Sequence, residues 1–172
     1  MSTTLRVDRT YPHPRALVWR ALVDRDLLAQ WLMPNDFEPR VGHRFTFRTE
    51  PGPGFDGVVR CEVLEIIDQE RLVLAWAGGP IDTRITFTLA DAPGGCRLVV
   101  EQVGFKGLRA WIVSRILAIG SRTIYGRRLP EVLASLDAPR TGPPPGACMS
   151  PGQRIWEWWL RVLYWRNPDG KR

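Results

Sequence analysis

Short turn sequences separate the alternating apolar segments in the middle of the chain, and they constrain its fold more than any other feature. The separators read PGPG from residue 51, DQE from 68, GGP from 78 and DAPGG from 91. Gly, Pro, Asp and Gln residues of this kind form turns, and connections this short cannot return the chain for a parallel strand. The segments between them are therefore predicted to pair as antiparallel neighbours.

The segments themselves alternate with a period of two residues. His43, Phe45 and Phe47 share one parity, while Arg44 and Thr46 share the other. This pattern is typical of a strand with one face buried and one face in water. It predicts strands at 40–49, 57–67, 71–77, 83–89 and 97–103, preceded by a first strand that ends at Tyr11.

Helical patterns flank these strands. Pro14 suits the first turn of one short helix, and Asp24 suits the N-cap of a second that reaches Trp31. From Leu108 onward a single apolar stripe with helical spacing predicts a long C-terminal helix, interrupted at Gly120 or Pro130. The stripe comprises Trp111, Ile112, Arg115, Ile116, Ile119, Thr123, Gly126, Leu129, Val132, Leu133 and Leu136. A chain in which most strands come first and a long helix that covers the sheet comes last is predicted to adopt an α+β fold with about six strands.

Composition narrows the possible functions. The 172 residues carry a net charge of +6, but the arginines are scattered among acids without an aromatic-rich basic strip, which argues against nucleic-acid binding. No leader-like apolar segment or membrane-spanning run is seen, so a cytoplasmic location is expected. Cys61, Cys96 and Cys148 are too few and too far apart for a disulfide framework or a zinc site. No metal, cofactor or catalytic motif is indicated.

Several ordered sequence marks resemble those of one family. They are Pro14, the segments at 18–22, 28–31 and 36–45, Gly57, the segments at 62–66 and 71–72, Trp76, the segment at 86–89, Gly126 and Leu129. In their order and spacing they resemble the SRPBCC or START-like helix-grip (Bet v 1-like) superfamily. Within it, they are most similar to homologues of the activator of the heat shock protein 90 ATPase, C-terminal domain.

The resemblance implies a curved antiparallel sheet that grips a long C-terminal helix around an apolar cavity. It implies binding of a small hydrophobic molecule, lipid-like or polyketide-like and aromatic. Two alternatives stay open: a cyclase or aromatase type of enzyme using the same cavity, and a co-chaperone-like module that acts on a heat shock protein 90 ATPase. A shared fold does not decide between such functions.

Inward parity selects the expected lining of this cavity, although the same side chains could equally pack a filled core. The candidate ligand-binding residues are His43, Phe45, Phe47, Cys61, Leu74, Trp76, Ile85, Phe87, Val100, Gln102, Trp111, Ile112 and Ile116. Gln102 or His43 would orient a polar end of the ligand. His43 is also the one candidate acid or base, against the alternative of a histidine at the rim held by a structural hydrogen bond.

The C-terminal part of the chain departs from the family pattern. Residues 138–153 form a Pro/Gly-rich linker, and residues 154–166, RIWEWWLRVLYWR, hold four of the eight tryptophans. Their spacing predicts an amphipathic helix with Arg154, Glu157 and Arg161 on its polar side. We expect this helix to dock on its own domain or a second subunit, to lie on a membrane surface, or to bind another protein.

Overall fold

The computed structural model describes residues 3–52 and 55–137. Within them, six strands form one curved antiparallel sheet in the order β1-β6-β5-β4-β3-β2. The strands are β1 (Thr3–Tyr11), β2 (Arg44–Arg48), β3 (Val58–Ile67), β4 (Arg71–Gly78), β5 (Ile81–Ala92) and β6 (Gly95–Phe105). The α+β fold expected from the turns and the alternation is confirmed.

Two short helices follow β1, as predicted. Helix α1 spans Arg15–Val23 and α2 spans Arg25–Trp31. Asp24 caps α2, since its Oδ1 accepts hydrogen bonds from the backbone N–H groups of Asp26 and Leu27 at 2.9 and 3.1 Å. Pro14 lies one position earlier than expected, as the N-cap residue of α1.

Strand β2 is shorter than the sequence pattern suggests. Residues 40–43 form a turn, in which Gly42 adopts a φ of +80° and the N–H of His43 donates to Arg40 O at 3.0 Å. Glycine reaches this left-handed conformation without steric cost, so the chain reverses here and the strand begins at Arg44. His43 nevertheless stays paired with β3, because its carbonyl accepts the N–H of Val63 at 2.9 Å.

The C-terminal helix contains an irregularity that the sequence analysis placed only roughly. Helix α3 (Gly107–Thr123) continues through a π-helical segment (Ile124–Arg128) into α4 (Leu129–Asp137). The N–H of Leu129 donates to Ile124 O, the spacing of a π turn. The irregularity therefore lies between the two predicted break points, Gly120 and Pro130.

The π segment corrects the prediction of one continuous inward stripe. Leu129, Val132 and Leu133 are buried, whereas Trp111 and Ile119 are exposed. Each residue turns a helix by about 100°, so the extra residue of a π turn rotates everything after it by about that angle. The apolar positions of α3 and α4, which align in an uninterrupted helix, consequently lie on different sides of the molecule.

One apolar core joins the sheet to the helices. Val18, Leu22 and Trp31 of the N-terminal helices are fully buried, together with Leu129 and Leu133 of α4. Tyr11, at the end of β1, joins this core to the π segment by donating its hydroxyl to Tyr125 O at 2.6 Å. Burial raises the pKa of both tyrosine hydroxyls, so they stay protonated and able to donate.

Candidate functional site

The helix-facing side of the sheet is an almost continuous apolar surface. Alternate residues on each strand point toward it because successive side chains of a strand point to opposite faces. The predicted residues on strands β2 to β6 are all buried: Phe45, Phe47, Cys61, Leu74, Trp76, Ile85, Phe87, Val100 and Gln102. Their role in binding a ligand remains a prediction, since packed and ligand-lining side chains share this parity.

A row of aromatic rings crosses one end of this surface; we call it the aromatic row and define it as Phe37, Phe45, Phe47 and Trp76. Ring centroids along it are separated by 5.1, 5.3 and 5.2 Å, and the first two contacts are edge-to-face. Such geometry is favourable for aromatic rings. The row extends the apolar surface from the loop before β2 to Trp76, two residues before the end of β4.

A short polar chain begins where the aromatic row ends. The Thr83 hydroxyl donates to Trp76 O at 3.1 Å, and Gln102 Nε2 donates to Thr83 Oγ1 at 2.9 Å. Gln102 and Thr83 are each 5% exposed. None of the described residues donates to Gln102 Oε1, and this oxygen is not fully shielded from solvent, so it is available to a polar group of a ligand.

His43 lies at the edge of the surface, not within it. Its ring stacks on Phe45 at 6.0 Å, Nε2 lies 3.0 Å from Asp36 O, and Nδ1 lies 3.7 Å from Glu38 Oε2. The side chain is 15% exposed. Both ring nitrogens thus face groups of the preceding loop, which is the arrangement of a rim histidine held by a structural hydrogen bond.

The three candidates on α3 differ from those on the sheet. Trp111 and Ile112 are about half exposed, contrary to the expectation that they face the core. The side chain of Ile116 lies outside the described part of the structure. Val113 and Leu117 instead pack against the core from this helix, and the rotation introduced by the π segment explains the exchange.

Two groups on or beside the surface were missed by the sequence analysis as site residues. Phe37 begins the aromatic row, although it belongs to no strand, so no periodicity could reveal it. Thr49 has the same parity as Phe47, and its buried Oγ1 has no hydrogen-bond partner among the described residues. Burial also raises the pKa of the Cys61 thiol, which disfavours the reactive thiolate there.

Other kinds of site find little support in the described part of the chain. Residues 3–52 and 55–137 contain no group of three or more His, Cys, Asp or Glu side chains that could hold a metal ion. None of the helices formed by these residues is long and apolar enough to cross a membrane. The predicted linker and the Trp-rich segment lie outside the described residues.

Solved structures with the same fold include several bacterial proteins. Protein MLL2253 from Mesorhizobium loti is 32% identical, with a TM-score of 0.71 over 79% of this chain and 100% of its own. Protein BH1534 from Bacillus halodurans is 21% identical, with a TM-score of 0.65 over 76% of this chain and 96% of its own. At that identity the second likeness shows the fold alone.

A third structure is DynU16, described as a putative protein in the dynemicin biosynthetic locus. It is 24% identical, with a TM-score of 0.63, and the match covers 77% of this chain and 47% of DynU16. A comparison with curated proteins gave no match. The family model described as Activator of Hsp90 ATPase homolog 1-like protein matches residues 12–134. The chain therefore belongs to the family of Activator of Hsp90 ATPase homolog 1-like proteins, within the SRPBCC or Bet v 1-like superfamily.

Proposed function

We propose that this protein binds a small hydrophobic molecule, aromatic or lipid-like, between the helix-facing side of the sheet and the C-terminal helix. The observation that carries the proposal is the buried amide of Gln102. Its Nε2 donates to Thr83 Oγ1 at 2.9 Å, while none of the described residues donates to its carbonyl oxygen, which is not fully shielded from solvent. A ligand hydroxyl could donate to this oxygen, and a hydrogen bond at a fixed point of a largely apolar surface would orient the ligand.

Binding on this surface would be driven mainly by burial of apolar area. Each Å² removed from water contributes about 25 cal/mol, and the aromatic row offers ring faces and edges to a flat ligand. Gln102 would then fix which end of the molecule enters first. Few polar groups in a mostly apolar surface are typical of sites for small ligands.

The test uses two probes that differ in one donor: naphthol, whose hydroxyl can donate to Gln102 Oε1, and methylnaphthalene, which has no hydroxyl. Binding to the full chain is measured by titration calorimetry. Gln102→Leu should weaken naphthol binding about tenfold, the value of one lost hydrogen bond, and leave methylnaphthalene binding unchanged.

Gln30→Leu is the matched control, because Gln30 is exposed on α2 and its side chain, within residues 3–52 and 55–137, bonds only to the backbone oxygen of Asp26. It should bind both probes like the unchanged protein. Failure of both probes to bind up to their solubility limits would overturn the proposal. Equal weakening of both probes by Gln102→Leu would overturn the role of the amide and leave a purely apolar site.

The cyclase or aromatase alternative depends on His43. This side chain is the one imidazole near the aromatic row, and stacking on Phe45 places it at the row's outer end. Replacement His43→Ala would abolish turnover of a bound polyketide while binding persists, if this activity is present. Unchanged turnover in that variant would exclude His43 as the acid or base.

The co-chaperone alternative follows from the description of the matched family model. It predicts that the full chain increases the ATPase rate of a heat shock protein 90 in a coupled assay. The naphthol experiment separates this function from ligand binding. An unchanged ATPase rate at saturating protein would exclude this activity for the chaperone tested.

A further inference from the structure

Helix α3 carries a connected apolar face that points away from the domain. Leu108, Trp111, Ile112 and Ile119 are 73%, 49%, 44% and 55% exposed. Their spacing of three, four and seven residues places them on one side of the helix. Single exposed apolar residues are ordinary, but a continuous row that includes a tryptophan indicates a surface for contact.

The opposite side of α3 confirms that this face is turned outward by the fold. Val113 and Leu117 pack against the core, and Ser114 and Ser121 are buried beside them. Each serine satisfies its hydroxyl within the helix, on Trp111 O at 2.7 Å and on Ala118 O at 2.8 Å. The inner side of α3 thus combines two aliphatic with two small polar residues, while its outer side carries large apolar residues, unlike a helix that contacts only water on its outer side.

The charge on this part of the chain is entirely positive. Residues 102–130 contain no Asp or Glu and six basic residues: Lys106, Arg109, Arg115, Arg122, Arg127 and Arg128. Arg115 and Arg122 are exposed within the same face of α3 as the apolar residues. A face that combines tryptophan, aliphatic side chains and arginine complements an anionic lipid surface, where apolar groups enter the interface and guanidinium groups meet phosphates.

We propose that the outward face of α3 binds an anionic lipid bilayer. A second copy of the chain would bring the same arginines against each other, which charge repulsion disfavours. The segment 154–166 is also basic, with Arg154, Arg161 and Arg166 against Glu157, so it does not complement the face either. That segment has the same chemistry and is joined to Asp137 by residues 138–153, which gives the chain a second basic and aromatic element for the same surface. This inference does not depend on the proposed ligand.

The experiment measures co-sedimentation of the full chain with vesicles of equal parts phosphatidylcholine and phosphatidylglycerol, and with vesicles of phosphatidylcholine alone. Binding should require the anionic lipid and weaken with added salt. The double variant Arg115→Glu/Arg122→Glu should bind at least about thirtyfold more weakly, since each basic residue near such a surface contributes roughly fivefold. Trp111→Ser should weaken binding as well, while leaving the salt dependence unchanged.

The matched control is Arg20→Glu/Arg84→Glu, at exposed positions on α1 and β5. Each reversal changes the charge by two, so both double variants fall from +6 to +2. If the control loses as much binding as Arg115→Glu/Arg122→Glu, total charge explains the effect and the proposal fails. Circular dichroism of each variant shows whether the fold is kept, and Trp111→Ser provides the second variant should the arginine pair not fold.

Three further results would overturn the proposal. The first is binding that Arg154→Glu/Arg161→Glu abolishes but Arg115→Glu/Arg122→Glu leaves intact, which would assign the surface to the Trp-rich segment. The second is no binding to anionic vesicles together with a dimer that Trp111→Ser dissociates, which would assign α3 to a second copy. The third is equal binding to both vesicle compositions.

Discussion

At the scale of single residues, Trp31 connects three elements. It is completely buried, its Nε1 donates to Ala21 O of α1 at 2.9 Å, and its ring lies 5.8 Å from that of Tyr125 in the π segment. Burying the indole N–H is favourable only with such an acceptor. Trp31 therefore sets the position of α1 and α2 relative to the C-terminal helix.

We expect Trp31→Phe to lower the free energy of unfolding by about 2–4 kcal/mol, through lost ring volume and an unpaired Ala21 carbonyl. Trp19→Phe is the matched control: Trp19 is also buried, but its indole N–H forms no hydrogen bond among the described residues. It should cost about half as much or less. Urea unfolding followed by circular dichroism measures both, and equal costs would contradict the role of the indole N–H.

Asp36 joins the loop before β2 to the strand itself. Its Oδ1 accepts hydrogen bonds from Thr46 N at 2.7 Å and Thr46 Oγ1 at 3.0 Å. These bonds favour the charged carboxylate and hold the pKa of Asp36 below its usual 3.8. A group with a lowered pKa in the folded state stabilises the protein above 3.8, and the contribution is lost as the pH falls through its folded-state pKa.

Asp36→Asn should therefore lower the melting temperature at neutral pH, by an amount that shrinks as the pH falls below 3.8. Asp82→Asn, at an exposed position on β5, removes the same charge and is the matched control. Thermal unfolding across this pH range gives the difference between each variant and the unchanged protein. A difference that stays constant down to low pH would contradict the assignment.

Residue-scale predictions from the sequence succeed where the interaction is local. The Asp24 cap lies within three residues of its donors, so the helix signal alone located it. The bond between Asp36 and Thr46 spans ten residues and depends on the turn at Gly42, which shortened the predicted strand. The pairing of Gln102 with Thr83 follows strand register, and parity alone gives only their shared face.

At the scale of elements, the π segment explains why Tyr11 and Tyr125 are connected. Leu129 N–H is used by Ile124 O, so Tyr125 O loses its α-helical donor. The π-helical donor would be Pro130, which has no N–H. The Tyr11 hydroxyl supplies the missing hydrogen bond at 2.6 Å, so a residue 114 positions earlier completes the backbone of this turn.

A double-mutant cycle tests this connection. Tyr11→Phe should destabilise the unchanged protein by about 1–2 kcal/mol, because a buried carbonyl is left without a donor. In a Pro130→Ala background the restored N–H offers an alternative donor, and the same change should cost less. Chemical denaturation of the four proteins gives the coupling energy. Additive costs would mean that Pro130 does not create the need for Tyr11.

The same π segment explains why the sequence pattern misplaced apolar residues of the C-terminal helix. A regular period predicted Trp111 and Leu133 on one stripe, yet the first is half exposed and the second is fully buried. A π turn adds one residue to a helical turn without requiring any particular side chain. The apolar pattern of the sequence therefore gives no sign of it. Pro130 was a visible signal for an irregularity, but only the backbone geometry shows that it is a rotation and not a break.

At the scale of the whole molecule, the fold was predictable because every level agreed: turn residues, strand alternation and the final helices all required the same antiparallel α+β arrangement. The occupant of the helix-facing surface was not predictable. Apolar side chains with this parity pack a core or line a ligand site with the same sequence. A polar group among them, such as Gln102, is what the proposed ligand site depends on, and the naphthol titration tests it.

One core spanning sheet and helices implies cooperative unfolding of the described region. Leu133→Ala should cost about 2–5 kcal/mol, since Leu133 is fully buried and truncation leaves a cavity. Leu108→Ala, at a position 73% exposed, should cost less than about 0.5 kcal/mol. Circular dichroism and tryptophan fluorescence should report the same midpoint shift for Leu133→Ala. Divergent midpoints would show that sheet and helices unfold separately.

The pairing of β1 with β6 also determines when the protein can fold during its synthesis. Thr3 pairs with Phe105, and Tyr11 pairs with Cys96. The first strand to leave the ribosome can therefore pair only after the last strand has been synthesised. The C-terminal helices, which cover the sheet, follow later still. Until then the apolar faces of the earlier strands remain uncovered, so the period of synthesis is when this chain is most exposed to aggregation.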